Sequence, residues 1–357
     1  MKIQNIITKA RDVVPIVFLY LSLAQIYVCY GKLSENHQNC NDPGTKFWRD
    51  DFEQKFNERI KFSLNKKKAK NVILMVGDGM GVSTVTAART YIGGMGQDSN
   101  TKTCAGDYKL SMDTQFEATA LSKTYSLNTH TPDSASTATA LATGRKTHYF
   151  SLGHPHLEKT SRDQVPNIAK IAKSQGKKVG LITTTQIIHA TPAAFYTHTN
   201  DRWNYSSVVD QFVCALSSQA GYVDLALGGG MKILDNETYY KYVDPKKFRF
   251  NEKFVNIPSL EEIRNPEKFP VNKNMDKNKD KDIVGIYADK HMPYVDERDP
   301  KIHPSLPEMV KFGLTKLSEK SKIDTKNPNS GIFVMIEAGR IDHAHHKNMA
   351  KRSLEAD

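Results

Sequence analysis

The sequence predicts an α/β fold with a central, largely parallel sheet flanked by helices. Three observations carry that expectation. Short runs at residues 72–76, 179–185, 223–227 and 332–336, apolar but for Asp224 and the threonines 183–185, have the composition of strands buried on both faces. Stretches with helical spacing separate them, the alternation that βαβ units require. Residues able to do chemistry stand just past the runs, at the carboxyl ends of the strands, where open parallel sheets gather ligands.

Taken in order, Lys2, Lys9 and Arg11 precede an apolar run at 13–29, and polar sequence follows from Gly31. This is the layout of a signal peptide over residues 1–31, leaving a catalytic domain over 32–357. The run is shorter than the ~20 residues a spanning helix needs, so an uncleaved anchor is the second choice. Residues 41–69 carry Phe47, Trp48, Phe52 and Phe56 near helical spacing. The run at 72–76 ends in Gly77-Asp78-Gly79 and leads into a helix over 82–91. A helix over 165–175 stops at Gly176 and feeds the strand at 179–185. The strand at 223–227 is closed by three glycines, and that at 332–336 by Glu337. Between 248 and 282, repeated Lys, Asn and Asp read as a solvated surface insertion.

Composition narrows the function classes. With 357 residues, 39% hydrophobic and 25% charged, the chain is neither disordered nor polytopic. The net charge of +11 gathers partly in local lysine runs poor in aromatics, which argues against a nucleic-acid partner. Of four cysteines, Cys29 lies in the signal; Cys40, Cys104 and Cys214 allow at most one intrachain disulfide, whose pairing stays open. Sequons at Asn204 and Asn236 suit a secreted glycoprotein.

The candidate site residues are Asp78, set among glycines; His189 and Thr191, after the second run; and Glu337, Asp342, His343, His345 and His346, after the last. On a helix Asp342 and His346 stand at i and i+4, on one face, a spacing that suits two ligands of one metal. Imidazole with carboxylate suits zinc, and carboxylates with a hydroxyl suit magnesium. Pro132-Asp133-Ser134 opens a run of small residues, placing Ser134 at a helix N-terminus, where exposed N–H groups favour an anion.

Four ordered segments resemble the animal alkaline phosphatases: residues 71–89 around Asp78, 132–140 around Ser134, 183–193 around His189 and Thr191, and 337–346. The resemblance implies a three-layer fold of that family and a phosphate monoester hydrolase with two zinc ions and one magnesium. Ser134 would be the phosphorylated nucleophile and Arg202 the grip on two phosphate oxygens. Asp78 would bridge a zinc and the magnesium, Thr191 and Glu337 would complete the magnesium ligands, and Asp342 and His346 would hold the other zinc. His189 and His343 would lie just behind these ligands. The order Arg202-Trp203-Asn204 departs from the family pattern. A calcium site does not carry over, because Ala288 follows Tyr287 and His303 takes a later acidic position. The family further implies small phosphate monoesters as substrates with broad leaving-group tolerance, a homodimer, and an extracellular or lipid-anchored location. Its members continue past Asp357 with further zinc ligands and a crown region, so the fold is expected to be incomplete at the C-terminus and this chain to have little activity alone. The alternative is an inactive secreted or surface binding protein on the same fold. A sulfatase is disfavoured, since no Cys/Ser-x-Pro-x-Arg context surrounds Ser134.

Overall fold

The computed structural model describes residues 45–61, 67–95, 105–154, 166–216, 221–234, 255–256, 258–270, 282–323 and 330–356. The expected signal, Cys40, Cys104, the Asn236 sequon and most of the 235–281 tract lie outside the described residues. Two units are distinguished: Asn65–Val85 with Thr119–Asp357, and Met1–Leu64 with Thr86–Ala118. In the second of these lies helix α1 (Thr45–Lys61), where Phe52 and Phe56 stack at 5.7 Å. Helix α2 (Val82–Met95) continues into it, and its Arg89 holds Asp113 of the short α3 (Ser111–Gln115) with two guanidinium nitrogens.

The larger unit is built on six strands: β1 (Val72–Gly77), β2 (Lys177–Gln186), β3 (Leu225–Gly229), β4 (Val255–Asn256), β5 (Asp282–Ile286) and β6 (Gly331–Ala338). Their order is β1-β6-β2-β3-β5-β4, and every pairing among them is parallel. The two-residue side-chain period of β6 divides the core. Phe333 and Met335 join a cluster with α4 (Ser134–Thr143), α5 (Ile168–Ser174), α6 (Ala190–Ala193) and α7 (Tyr205–Ala215). Ile332, Val334 and Ile336 face α9 (Leu260–Arg264) and α10 (Leu306–Ile323) on the other side, α8 (Met231–Leu234) lying between β3 and β4 in sequence. Helix α10 comes close to the sheet because Gly313 faces Ile182, where a Cβ would lie 2.6 Å from its Cδ1. Helices α11 (Arg340–His346) and α12 (Ala350–Leu354) follow β6. No described helix is long and apolar enough to cross a membrane.

Three expectations need correction, and one strand was missed. Strand β1 is not covered on both faces: it is a sheet edge, and its Ile73 and Met75 are 46% and 61% exposed. Strand β5 was not legible, because Gly285 interrupts a short apolar stretch that directly follows a Lys/Asp-rich run. The tract at 248–282 is not wholly a solvated insertion. Ser259 and Glu262 form a capping box that starts α9, and Ile263 is fully buried. Helix α5 begins at Ile168, where the Asn167 side chain caps the Lys170 N–H at 2.9 Å.

At the amino ends of the strands, away from the site, Asp224 is buried, accepting from the Val179 N–H at 2.8 Å and Lys173 Nζ at 2.6 Å. Burial, with the Asp224 charge nearby, pushes Asp282 up to about 7. The folded state therefore keeps a proton that an unfolded aspartate releases near pH 3.8. Stability from this group falls as pH rises from about 4 to about 7 and stays low above that. Asp282→Asn is expected to raise the urea midpoint well above neutrality and to leave it nearly unchanged near pH 4. Equal shifts at both ends of the range would contradict this origin.

Candidate metal and phosphate site

The carboxyl ends of β1, β2 and β6 deliver the candidate residues to one pocket of about 710 Å³. Asp78, Ser134, His189, Thr191, Arg202, Asp342, His343 and His346 all line it. Glu337, at the end of β6, sits beneath them, fully buried.

Asp78 leaves β1 through Gly79, whose φ of +66° suits glycine. A Cβ at Gly79 would stand 2.9 Å from Asp342 Oδ1, so glycine lets this turn close against α11. Ser134 is the first residue of α4. Asp133 caps that helix, its carboxylate accepting from the Ala135 N–H at 3.1 Å and the Ser136 N–H at 3.2 Å. Ala135, Ala138 and Ala142 are buried, which lets α4 lie close to its neighbours. The Ser134 hydroxyl donates to Asp78 Oδ2 at 2.9 Å.

Arg202 is 8% exposed and bonded at both ends of its fork. One terminal nitrogen donates to Asp133 Oδ2 at 3.0 Å, and the other stands 3.0 Å from His189 Nε2. Arginine has no acceptor, so His189 Nε2 must be the acceptor and its proton sits on Nδ1. Each of these bonds uses one N–H, leaving the second on each nitrogen for an anion. Asp133, which the sequence placed only beside Ser134 at the start of the helix, here also positions the guanidinium.

Glu337 Oε2 accepts from the hydroxyls of Thr183 and Thr185, and the Thr191 side chain also favours the ionised carboxylate. Its Oε1 is buried without a partner, as is His189 Nδ1. Oxygens of Asp78 and Glu337 and one nitrogen of His189 lie within 4.8 Å of one another. Desolvation, then the charges of Glu337 and Asp342, push Asp78 up to about 7, and burial raises Glu337 as well. Two crowded carboxylates with an orphaned oxygen fit a divalent cation. The His189 proton points the same way on ligand type: Asp78, Glu337 and Thr191 offer oxygens, the donor set of a hard cation, while His189 stands beside them as a donor.

At the outer side, Asp342 Oδ2 and His346 Nε2 lie 3.4 Å apart on one face of α11. His345 turns away to Thr84 Oγ1 at 3.3 Å, and His343 meets an Arg340 guanidinium nitrogen at 2.9 Å. His291, which the sequence did not single out, lies behind the site. Its ring is 4.3 Å from His343 and 5.5 Å from His189, and its Nδ1 accepts from the Gln186 N–H at 3.1 Å. Burial and neighbouring charges lower His291 to about 3 and His343 to about 4.

The alkaline phosphatase family model matches residues 69–356, a span that includes every residue of this site. The chain belongs to the alkaline phosphatase family. It is 35% identical over 344 residues to the alkaline phosphatase of Gadus morhua, covering 88% of this chain and 68% of that protein. It is 34% identical over 341 residues to the tissue-nonspecific isozyme of Homo sapiens, covering 87% of this chain and 62% of the isozyme. The chain thus spans about two thirds of the length of these family members. In fold it is similar to the alkaline phosphatase of the Antarctic bacterium TAB5, with a TM-score of 0.61 and 24% identity, covering 81% of this chain and 71% of that one.

With Asp78 as a cation ligand, its raised pKa would set the pH dependence of binding. Below about 7 a cation must displace a proton, so apparent affinity is expected to climb about tenfold per pH unit up to neutrality, then flatten. Calorimetric titration with magnesium between about pH 5.5 and 8.5 reads this directly. An affinity independent of pH across that range would rule out Asp78 as a ligand.

Proposed function

We propose that the chain is a metal-dependent phosphate monoester hydrolase that works by transferring phosphate to Ser134. The observation that carries this reading is the Ser134 hydroxyl, bonded to Asp78 Oδ2 at 2.9 Å in the pocket onto which Arg202, Asp342 and His346 also open.

Each residue then has a physical task. The hydrogen bond to Asp78 orients Ser134 Oγ toward phosphorus. Arg202, held flat by Asp133 and His189, presents its two remaining N–H groups to two phosphoryl oxygens. Asp78, Thr191 and Glu337 would hold magnesium; Asp342 and His346 would hold one zinc; Asp78 and Ser134 would approach a second. When bound, these ions stabilise charge on the phosphoryl oxygens and acidify the hydroxyls bound to them. His343 holds the Arg340 guanidinium, which lies over the Tyr294 ring. The same family membership supports a secreted or surface location and a homodimer, with lipid anchoring a further property of many animal members.

The test is covalent. With zinc and magnesium supplied, incubation with p-nitrophenyl phosphate and acid quenching should leave a phosphate on the peptide containing Ser134. Ser134→Ala should abolish the adduct without changing magnesium affinity more than about threefold, because Glu337, Asp78 and Thr191 remain. A phosphate found on another residue, or an adduct that survives Ser134→Ala, would overturn the reading.

A further inference from the structure

Besides its charged groups, the pocket is lined by aromatic side chains. Phe150 and Trp203 stand at the mouth, 36% and 52% exposed, with ring centroids 6.2 Å apart and planes at 69°. Leu141, 48% exposed, extends the apolar surface from α4.

This wall is tied to the phosphate grip. Phe150 has a φ of +69°, a left-handed conformation that a bulky side chain rarely adopts. The backbone is held there at both ends by the residues that order the site. The Phe150 N–H donates to Asp133 Oδ1 at 3.1 Å, and its carbonyl accepts from the Arg202 N–H at 2.8 Å. Trp203 follows Arg202 directly, and the guanidinium carbon lies 5.0 Å from its ring centroid. The backbone that carries the two rings is thus tied to the groups that would hold a phosphoryl unit. A pocket of this volume leaves room beside such a unit for the rest of an ester.

We propose that Phe150 and Trp203 form a subsite for the ester group, selecting phosphate monoesters whose alcohol portion is a flat apolar ring. This rests on the phosphomonoesterase reading and narrows the broad leaving-group tolerance that the family resemblance implies. Edge and face contacts to two aromatic rings reward a planar group and give a small polar alcohol nothing.

The chain has two tryptophans, so Trp48→Phe leaves Trp203 as the only indole reporter. With zinc and magnesium present, the probes are phenylphosphonate, methylphosphonate and inorganic phosphate, none of which can be turned over as an ester. Phenylphosphonate should bind about tenfold more tightly than methylphosphonate and quench the Trp203 emission. Calorimetry on Phe150→Ala and Trp203→Leu should show that preference, the ratio of the two phosphonate affinities on each variant, shrinking to about twofold or less. Equal binding of the two phosphonates by the parent chain would overturn the subsite while leaving the phosphate reading intact. So would a phenyl preference that survives both substitutions. Failure of all three probes to bind would remove the function reading and this inference together.

Discussion

Replacing Glu337 by glutamine is expected to weaken magnesium binding by about a hundredfold while making the cation-free protein more stable near neutral pH. Both effects follow from one feature. Glu337 is fully buried, with threonine hydroxyls donating to Oε2 and nothing meeting Oε1. The carboxylate is therefore well held on one side and unsatisfied on the other, and it adds to the repulsion that raises Asp78. Glutamine keeps the shape but removes a charge and places an amide where an acceptor is needed. The cation loses a ligand, and Asp78 loses a repulsive neighbour. Thermal melting in chelator should show the stabilisation, and titration with magnesium the loss. A variant that binds magnesium as the parent does would mean that the unpartnered Oε1 is not a ligand. A variant destabilised in chelator would mean that the threonine bonds outweigh the repulsion.

Arg202→Lys is expected to lower affinity for inorganic phosphate by one to two orders of magnitude, with magnesium binding preserved. The guanidinium spans Asp133 Oδ2 and His189 Nε2 while keeping N–H groups free. A lysine ammonium can serve Asp133 or the phosphate but cannot form a planar bridge to both. The Asp133 and Arg202 side chains are 6% and 9% exposed, so the pair is nearly sealed from solvent. Lysine retains a charge for Asp133, whereas alanine would leave that carboxylate buried without its partner at a cost of about 3–5 kcal/mol. Phosphate affinity and unfolding free energy, measured on both variants, separate the two roles. Phosphate binding undiminished in Arg202→Lys would show that the fork is structural only.

The parts of the architecture that depend on composition were readable in the sequence. Residues 179–182 and 332–336 are apolar on both faces because β2 and β6 lie inside the sheet, and those runs pointed directly to His189 and Glu337. Residues 72–76 look the same as a string yet form an edge with Ile73 and Met75 exposed, since strand order is a tertiary property. Asp342 and His346 could be paired from helical spacing alone. Thr183 and Thr185 could not be given a task, because only the β2–β6 register brings them beside Glu337. Asp133 has the same limit: its cap is a local pattern, but its bond to Arg202 crosses 69 residues. His291 arrives from the segment after β5, a strand whose own signal is weak, and nothing in its neighbours marks it.

One pocket should hold a divalent cation and a phosphate side by side, through Asp78, Glu337 and Thr191 on one hand and Ser134 and Arg202 on the other. Anomalous diffraction from crystals grown with manganese and inorganic phosphate tests this in a single experiment. The expected result is a manganese peak bounded by Asp78, Glu337 and Thr191, with phosphate density between Ser134 Oγ and the Arg202 guanidinium. Manganese confined to surface carboxylates, with no phosphate in the pocket, would contradict it.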